Sequence, residues 1–441
     1  MKNLTFAVLI LAAAGLETPL RAADIAGSWI SEITTGFGES QYARVALKTD
    51  GGKLSGSWGA WKFDGDISGA RVTFSLSTPE NRSEGTLSGA VAGGGLSGDG
   101  SVAVQRGGGG RAAAGEFTKV TWKLTREPQP PPGGPKTWTF DPKVFYSYYS
   151  AANPPALRIF PGDTVKTWTV DAGGIGPKME RLSRGSDATA GPFYIEGALP
   201  GDTLVVKLNK VRINRVQARQ GNRINARAVT PAYSAAAKYS NDFNSEWILD
   251  KEKGIATLAH PTERMKNYSV RILPMLGCLA VAPPGDEVYR GTDLGNFGGN
   301  LDYNQNGEGT TLYFPVFHPG GLFVLGDAHA AMGDGELTGS ALETSMDVEF
   351  TVDLIKGYAS AAPRAETSDY LMSFGIAGSV PESLQNATTQ LVEWLKKDYK
   401  LNDNEVAVLL GTVLKYDITE MVDPKYDVVA KVPKSALALL K

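Results

Sequence analysis

Alternating apolar and polar residues dominate the first part of the chain. Ala43-Arg44-Val45-Ala46-Leu47-Lys48 and Arg71-Val72-Thr73-Phe74-Ser75-Leu76 each put every second side chain on one face, the period of a half-buried β-strand. Asp50-Gly51-Gly52 and Gly93-Gly94-Gly95 separate such runs as turns. Gly27-Ser28-Trp29 and Gly56-Ser57-Trp58 begin two of the strands, and Val120-Thr121-Trp122-Lys123-Leu124 supplies a closing one. Residues 24–125 are therefore expected to form a small antiparallel β-barrel or sandwich. Pro128 to Pro135 reads PQPPPGGP, a stiff extended stretch because proline fixes φ, and sets a linker over 126–136.

Beyond the linker, 137–441 is again β-rich. Phe160-Pro161-Gly162-Asp163-Thr164-Val165 and Leu199-Pro200-Gly201-Asp202-Thr203-Leu204 repeat one device, a Pro-Gly-Asp turn that starts a strand. Helical spacing enters near the C-terminus, where Leu384, Ala387, Leu391, Trp394 and Leu395 share a face. Asn402 and Glu405 match a capping box for a helix running to about Leu414. Val428 to Val432 is a last strand. The fold class is mainly β with a few C-terminal helices.

Composition supports this picture. The 441 residues are too many for one ordinary core, and 52 glycines with 25 prolines favour turns and strands. With 44 basic against 47 acidic residues there is no basic stripe to neutralise phosphates, so nucleic acid is not an expected partner. Met1-Lys2, the apolar run Phe6 to Leu16, and small residues at Arg21-Ala22-Ala23-Asp24 match a secretory signal peptide over 1–23. The apolar run is too short to span a bilayer, and no cysteine follows it, so no membrane anchor is expected. The mature chain is expected in the periplasm or secreted. Cys278 is the one cysteine, so stability must come from core burial without an internal disulfide.

Several chemistries lack their motifs. There is no Gly-x-Ser-x-Gly elbow, P-loop or dinucleotide fingerprint. The Gly107 to Gly110 run lacks the strand-to-helix context of a phosphate cradle and is expected to be a loop tip. Asp302-Tyr303-Asn304-Gln305-Asn306-Gly307 opens like a calcium loop, but Tyr313 stands where the twelfth-position acid belongs. Cys278 lies in the apolar run Met275 to Ala282, where a thiol is expected to be buried and inert; a cysteine nucleophile is the rival reading. His260 and His318 each precede proline in a loop and are expected to be ordinary loop residues.

His329 has different company. The apolar strand Leu322 to Leu325 delivers Gly326-Asp327-Ala328-His329, whose Asp and His fall on one face of an extended chain. Gly333-Asp334-Gly335-Glu336 is expected to turn back as a hairpin, bringing three carboxylates to one imidazole. Crowded carboxylates repel unless a cation or shared protons compensate. Spacing alone leaves two readings open: a divalent-metal site that activates water, or a hairpin whose acids cap turns.

Pro161 to Val165, Gly191 to Ala198 with Pro200-Gly201-Asp202-Thr203, and Pro274 to Gly277 through Val281-Ala282-Pro283 occur in that order. Gly298-Gly299-Asn300-Leu301-Asp302, Gly309 to Tyr313, Gly326 to His329, Gly333 to Glu336 and Glu343 to Asp347 follow. This series resembles the acetamidase/formamidase family over roughly residues 136–440. The resemblance implies hydrolysis of small linear or cyclic amides to ammonia and a carboxylate, and a bound divalent metal, zinc preferred and calcium the alternative. It points to Asp302, Asp327, His329 and Glu336 as metal residues. It also implies Glu343 or Asp334 as general base and Asn300 as a group polarising the amide oxygen. The expected partner is a small amide, with homo-oligomerisation left open. Two stretches depart from the family pattern: Phe145 to Pro154 lacks the usual histidine and tryptophan, and Asp187-Ala188-Thr189-Ala190 replaces an Asn-Pro-x-Thr. The altered first stretch and the added N-terminal β-region favour one rival, a non-catalytic binding protein that keeps the fold.

Overall fold

The computed structural model describes residues 25–103 and 117–440; the expected signal peptide and the Gly107 to Gly110 run lie outside the described residues. These residues divide into two compact units, meeting in the chain at Gln129 and Pro130.

The first unit resolves the choice between barrel and sandwich. Eight strands pair antiparallel in sequence order, and Gly27–Thr35 also pairs with the last strand, Thr118–Arg126, so the barrel closes. Alternation puts Trp29, Trp58, Phe63, Phe74 and Trp122 inside, all buried. Trp58, Phe74 and Trp122 meet edge-to-face at centroid distances of 5.5–6.0 Å. Side chains thus fill the interior, as an eight-stranded barrel allows. Closure needs residues without side chains: a Cβ on Gly56 would lie 1.8 Å from the Ala46 carbonyl oxygen, and one on Gly98 1.9 Å from that of Ser88.

The second unit contains two larger sheets over one core. Six strands run in the order Leu157–Ile159, Thr189–Ile195, Phe323–His329, Met275–Ala280, Gly298–Asn300, Leu294–Gly295. Nine strands form the other sheet, with Thr203–Ile213, Met346–Ile355 and Thr164–Thr169 adjacent within it. Phe193 and Phe323 of the first sheet pack on Phe350 of the second at 5.1 and 5.4 Å between ring centroids. The two Pro-Gly-Asp devices are structurally alike. Asp163 accepts from the Phe160 amide and Asp202 from the Leu199 amide, and the strands they launch flank Met346–Ile355 on either side.

The helix Val380–Tyr399 starts at Ser379, whose hydroxyl accepts from the Glu382 amide, and buries Ala387, Leu391, Trp394 and Leu395; Leu384 stays about a third exposed at the edge of that face. The capping box of Asn402 and Glu405 is formed, on the helix Asp403–Val413. A four-stranded sheet, Gln217–Arg219, Glu246–Asp250, Ile255–Leu258 and Ser269–Arg271, adds a smaller layer with its own core around Trp247. No helix among the described residues is long and apolar enough to cross a membrane.

Candidate functional site

Five segments deliver acids to one place at the ends of the six-stranded sheet. Asp327 and His329 come from Phe323–His329, and Asp302 from the loop after Gly298–Asn300. Glu336 and Glu343 come from residues 330–345. The expected hairpin is not made: this stretch forms no returning strand, only an irregular loop pinned by isolated bridges such as His329 to Glu343. Asp187 precedes Thr189–Ile195. Glu420 and Asp423 enter from the turn between Lys415–Glu420 and Tyr426–Pro433.

His329 is fully buried. Its Nε2 lies 3.2 Å from both Asp327 Oδ1 and Glu343 Oε1, while Nδ1 has no hydrogen-bond partner and stands 3.7 Å from Asp302 Oδ1. Neither oxygen of the fully buried Asp302 has a hydrogen-bond partner, nor does Glu420 Oε2. Buried polar atoms are nearly always partnered, so these groups beside an imidazole are free to take a ligand. Three sets of ligand atoms lie within 4.8 Å of one another: Asp302, Asp327 and His329; His329, Glu336 and Glu343; and Asp302, Glu420 and Asp423. Imidazole with carboxylates suits a divalent cation, so the residues present fit one.

Electrostatics say the same. Burial raises the carboxyls of Asp302 and Glu336 well above the usual range, and neighbouring acids add to it. Burial and adjacent Asp327 push Asp187 to about 9; burial takes Glu343 to about 7, against the opposing pull of His329. Burial also raises Glu420 to about 8 and Asp423 to about 6. For His329, burial works downward, but Glu343 and Asp327 outweigh it and hold the imidazole well above its ordinary value.

The backbone is strained here as well. Of the non-glycine residues with positive φ, Asp187 (52°), Asp302 (37°), Asp327 (51°) and Glu336 (44°) all belong to this cluster. Such strain collects at functional sites, where the surrounding fold over-determines the conformation. Gly277 lies beneath the cluster, and a Cβ there would stand 2.3 Å from Asp327 Oδ2 and 2.4 Å from Asp302 Oδ1.

Outer contacts hold the acids in place. Glu343 accepts from the amides of Ala341 (3.0 Å) and Ala172 (3.3 Å). Arg215, buried and ion-paired with Asp171, donates to the Glu343 carbonyl at 3.2 Å. Asn300 donates from Nδ2 to Asp423 Oδ2 at 2.8 Å and accepts the Cys278 thiol at 3.0 Å.

The sequence-predicted residues sort cleanly. Asp302, Asp327, His329, Glu336 and Glu343 come together. Asp334 does not: it is exposed and accepts from Asn304 at 2.7 Å, because the loop turns it outward where the expected return strand would have turned it in. Asn300 is close, but both ends of its amide are engaged by Asp423 and Cys278. Cys278 is fully buried, with burial and Asp327 raising its thiol well above the usual value, which removes the nucleophile reading. His260 is exposed, and His318 bonds the Pro283 carbonyl at 2.7 Å. Glu420, Asp423 and Asp187 were missed. Glu420 and Asp423 lie over a hundred residues downstream of Asp302 with no local pattern to mark them. Asp187 carried a signal, since it sits in one of the two departures from the family pattern. The other departure also reaches the site, for the Tyr149 hydroxyl lies 3.0 Å from Cys278 Sγ.

Comparisons with known proteins follow this geometry. The sequence model described as "Acetamidase/Formamidase family" matches residues 286–435, which include Asp302, Asp327, His329, Glu336, Glu343, Glu420 and Asp423. An acetamidase of Mycolicibacterium smegmatis is 23% identical over 293 residues, 51% of this chain and 72% of that protein. A formamidase of Methylophilus methylotrophus is 24% identical over 298 residues, 53% of this chain and 72% of that protein. The solved structure of a recombinant predicted acetamidase/formamidase from the thermophile Thermoanaerobacter tengcongensis superposes with a TM-score of 0.58 at 25% identity, covering 69% of this chain and 98% of that one.

Proposed function

We propose that the chain is a member of the acetamidase/formamidase family and, from that premise, that it is an amidase that hydrolyses the carbon–nitrogen bond of small amides with water, releasing ammonia and a carboxylate. The observation that carries the site assignment is the pair of donor-free, fully buried oxygens on Asp302, facing the unpartnered His329 Nδ1. Asp302, Asp327 and His329 would hold a divalent cation, zinc before calcium because an imidazole is in the set. When bound, such an ion supplies Lewis acidity and makes water a better acid.

The chain's own residues do the rest. Glu343 and Asp327 accept from the imidazole and fix its ring, as carboxylates behind a liganding histidine do. Glu336 belongs both to the acid cluster and to the wall of an adjoining cavity, so it is the member of the cluster that adjoins space for a substrate. It takes a proton from the attacking water as the new carbon–oxygen bond forms. It returns that proton to the leaving nitrogen as the carbon–nitrogen bond breaks. Asn300 acts through Asp423 as a positioning group. The intact set of acids argues against a binding-only protein.

Metal content of the purified protein and ammonia release from an amide panel test this reading. Near-stoichiometric divalent metal is expected, with activity lost in chelator. Glu336→Gln is expected to keep its metal and lose about 10²- to 10⁴-fold in kcat, the usual range for a general acid–base group. Wild-type turnover in chelator would overturn the metal assignment, and wild-type turnover by the variant would remove Glu336 from proton transfer.

A further inference from the structure

A cavity of about 440 Å³ opens between the four-stranded sheet and the loop that carries Glu336. Its walls are mostly apolar: Trp247, Tyr268, Leu273, Leu337 and Leu342 line it, with Glu336 at the side shared with the acid cluster. Trp247 and Tyr268 meet edge-to-face with centroids 6.0 Å apart. Tyr268, Leu273 and Leu337 are 48%, 52% and 46% exposed, a grouping of large apolar side chains of the kind that lines ligand-binding grooves. Acetamide and formamide, with only a few non-hydrogen atoms each, would leave nearly all of this space as water. Cavities of about 300–1,000 Å³ ordinarily enclose a molecule of drug size.

Trp247 is 4% exposed and contributes to the cavity wall, so its indole is held in place by the core behind it.

We infer that the substrate is a primary amide whose acyl part carries an apolar group of roughly aryl size, seated in this cavity with its amide at Glu336. This rests on the amidase reading above: if ammonia is the leaving group, the nitrogen is unsubstituted, and the bulk that fills the cavity must be on the acyl side. Ring-on-ring contact with Trp247 and Tyr268 favours a flat aryl group over a branched alkyl one.

Phenylacetamide and acetamide are the probes, used with the wild-type protein, Leu337→Asp and Trp247→Phe. Leu337 is half exposed, so its substitution leaves the core untouched. Wild type is expected to favour phenylacetamide over acetamide in kcat/KM by at least about tenfold, the discrimination that buried apolar contacts supply. Leu337→Asp is expected to lower that ratio about tenfold. Trp247→Phe keeps a ring in the cavity wall and is expected to lower the ratio less than Leu337→Asp does. Saturable binding of phenylacetamide, read by quenching of indole fluorescence, gives an arm independent of turnover. Acetamide turnover with no aryl preference and no saturable aryl binding overturns the inference and leaves the amidase reading standing. Saturable binding that Leu337→Asp weakens, with no ammonia from any amide, supports the cavity assignment and overturns the amidase reading. Neither binding nor turnover overturns both.

Discussion

Gly277 and Asp302 show how the site depends on single atoms. Gly277 has an ordinary strand φ, so its backbone would accept a side chain, but a Cβ would intrude between the carboxylates of Asp302 and Asp327. Gly277→Ala is therefore expected to fold with a small loss of Tm and to bind a divalent cation about 10- to 100-fold more weakly, the usual consequence of disturbing ligand orientation. Isothermal titration with zinc checks this, and wild-type affinity would show that the carboxylates do not need their present positions. Asp302 carries the opposite lesson. A buried acid without donors costs free energy in the cation-free fold when it is charged, and it can bond Glu420 beside it only by holding a proton between them. Asp302→Asn is expected to raise the Tm measured in chelator at pH 8 and to abolish the rise that zinc gives the wild type. A lower Tm in chelator would mean that the Asp302 carboxyl is satisfied without a cation.

At the scale of elements, local pattern was legible wherever local forces decide. Alternation located the barrel strands around Ala43–Lys48 and Arg71–Leu76, and Asn402 with Glu405 located a helix start to the residue. The loop 330–345 was not legible, because its path is set by distant partners: Arg219 bridges Glu343, and Arg215 holds the Glu343 carbonyl. The same reason hid Glu420 and Asp423, which reach Asp302 only through the pairing of Lys415–Glu420 with Tyr426–Pro433. Arg215 is the brace of this arrangement. Besides its Asp171 ion pair, it donates to the carbonyls of Ile175 (2.9 Å), Gly176 (3.1 Å) and Gln217 (3.0 Å), so three segments converge on one buried guanidinium. Arg215→Met leaves Asp171 buried without its cation and is expected to cost about 3–5 kcal/mol in denaturant unfolding. Lysine in its place cannot supply the planar fork and is expected to rescue only part of that loss. A loss under about 1 kcal/mol, the worth of a surface pair, would show that the brace is not needed.

Over the whole molecule, the acid cluster sets how stability responds to pH. In the unfolded chain carboxyls titrate near pH ~4, whereas in the fold Asp423, Glu343, Glu420 and Asp187 titrate at about 6, 7, 8 and 9. Between those limits the cation-free fold holds more protons than the unfolded chain. Unfolding free energy must then fall as pH rises, by about 1.4 kcal/mol per pH unit for each proton held in excess. The imidazole of His329, raised by Glu343 and Asp327, pulls in the same direction: its contribution is whole below its unfolded value and is lost as pH climbs through the folded one. The melting temperature in chelator is thus expected to be highest near pH 5 and to decline steadily to pH 9. A divalent cation at Asp302, Asp327 and His329 supplies the missing positive charge, so the same melts with zinc are expected to flatten, the gain from zinc growing with pH. That gain separates the cluster from the many exposed acids, whose titration a single bound cation barely alters. A chelator profile that is flat or rises from pH 5 to 9 would mean that the clustered carboxyls titrate as ordinary ones. The burial of Asp302 and its neighbours would then need another counter-charge.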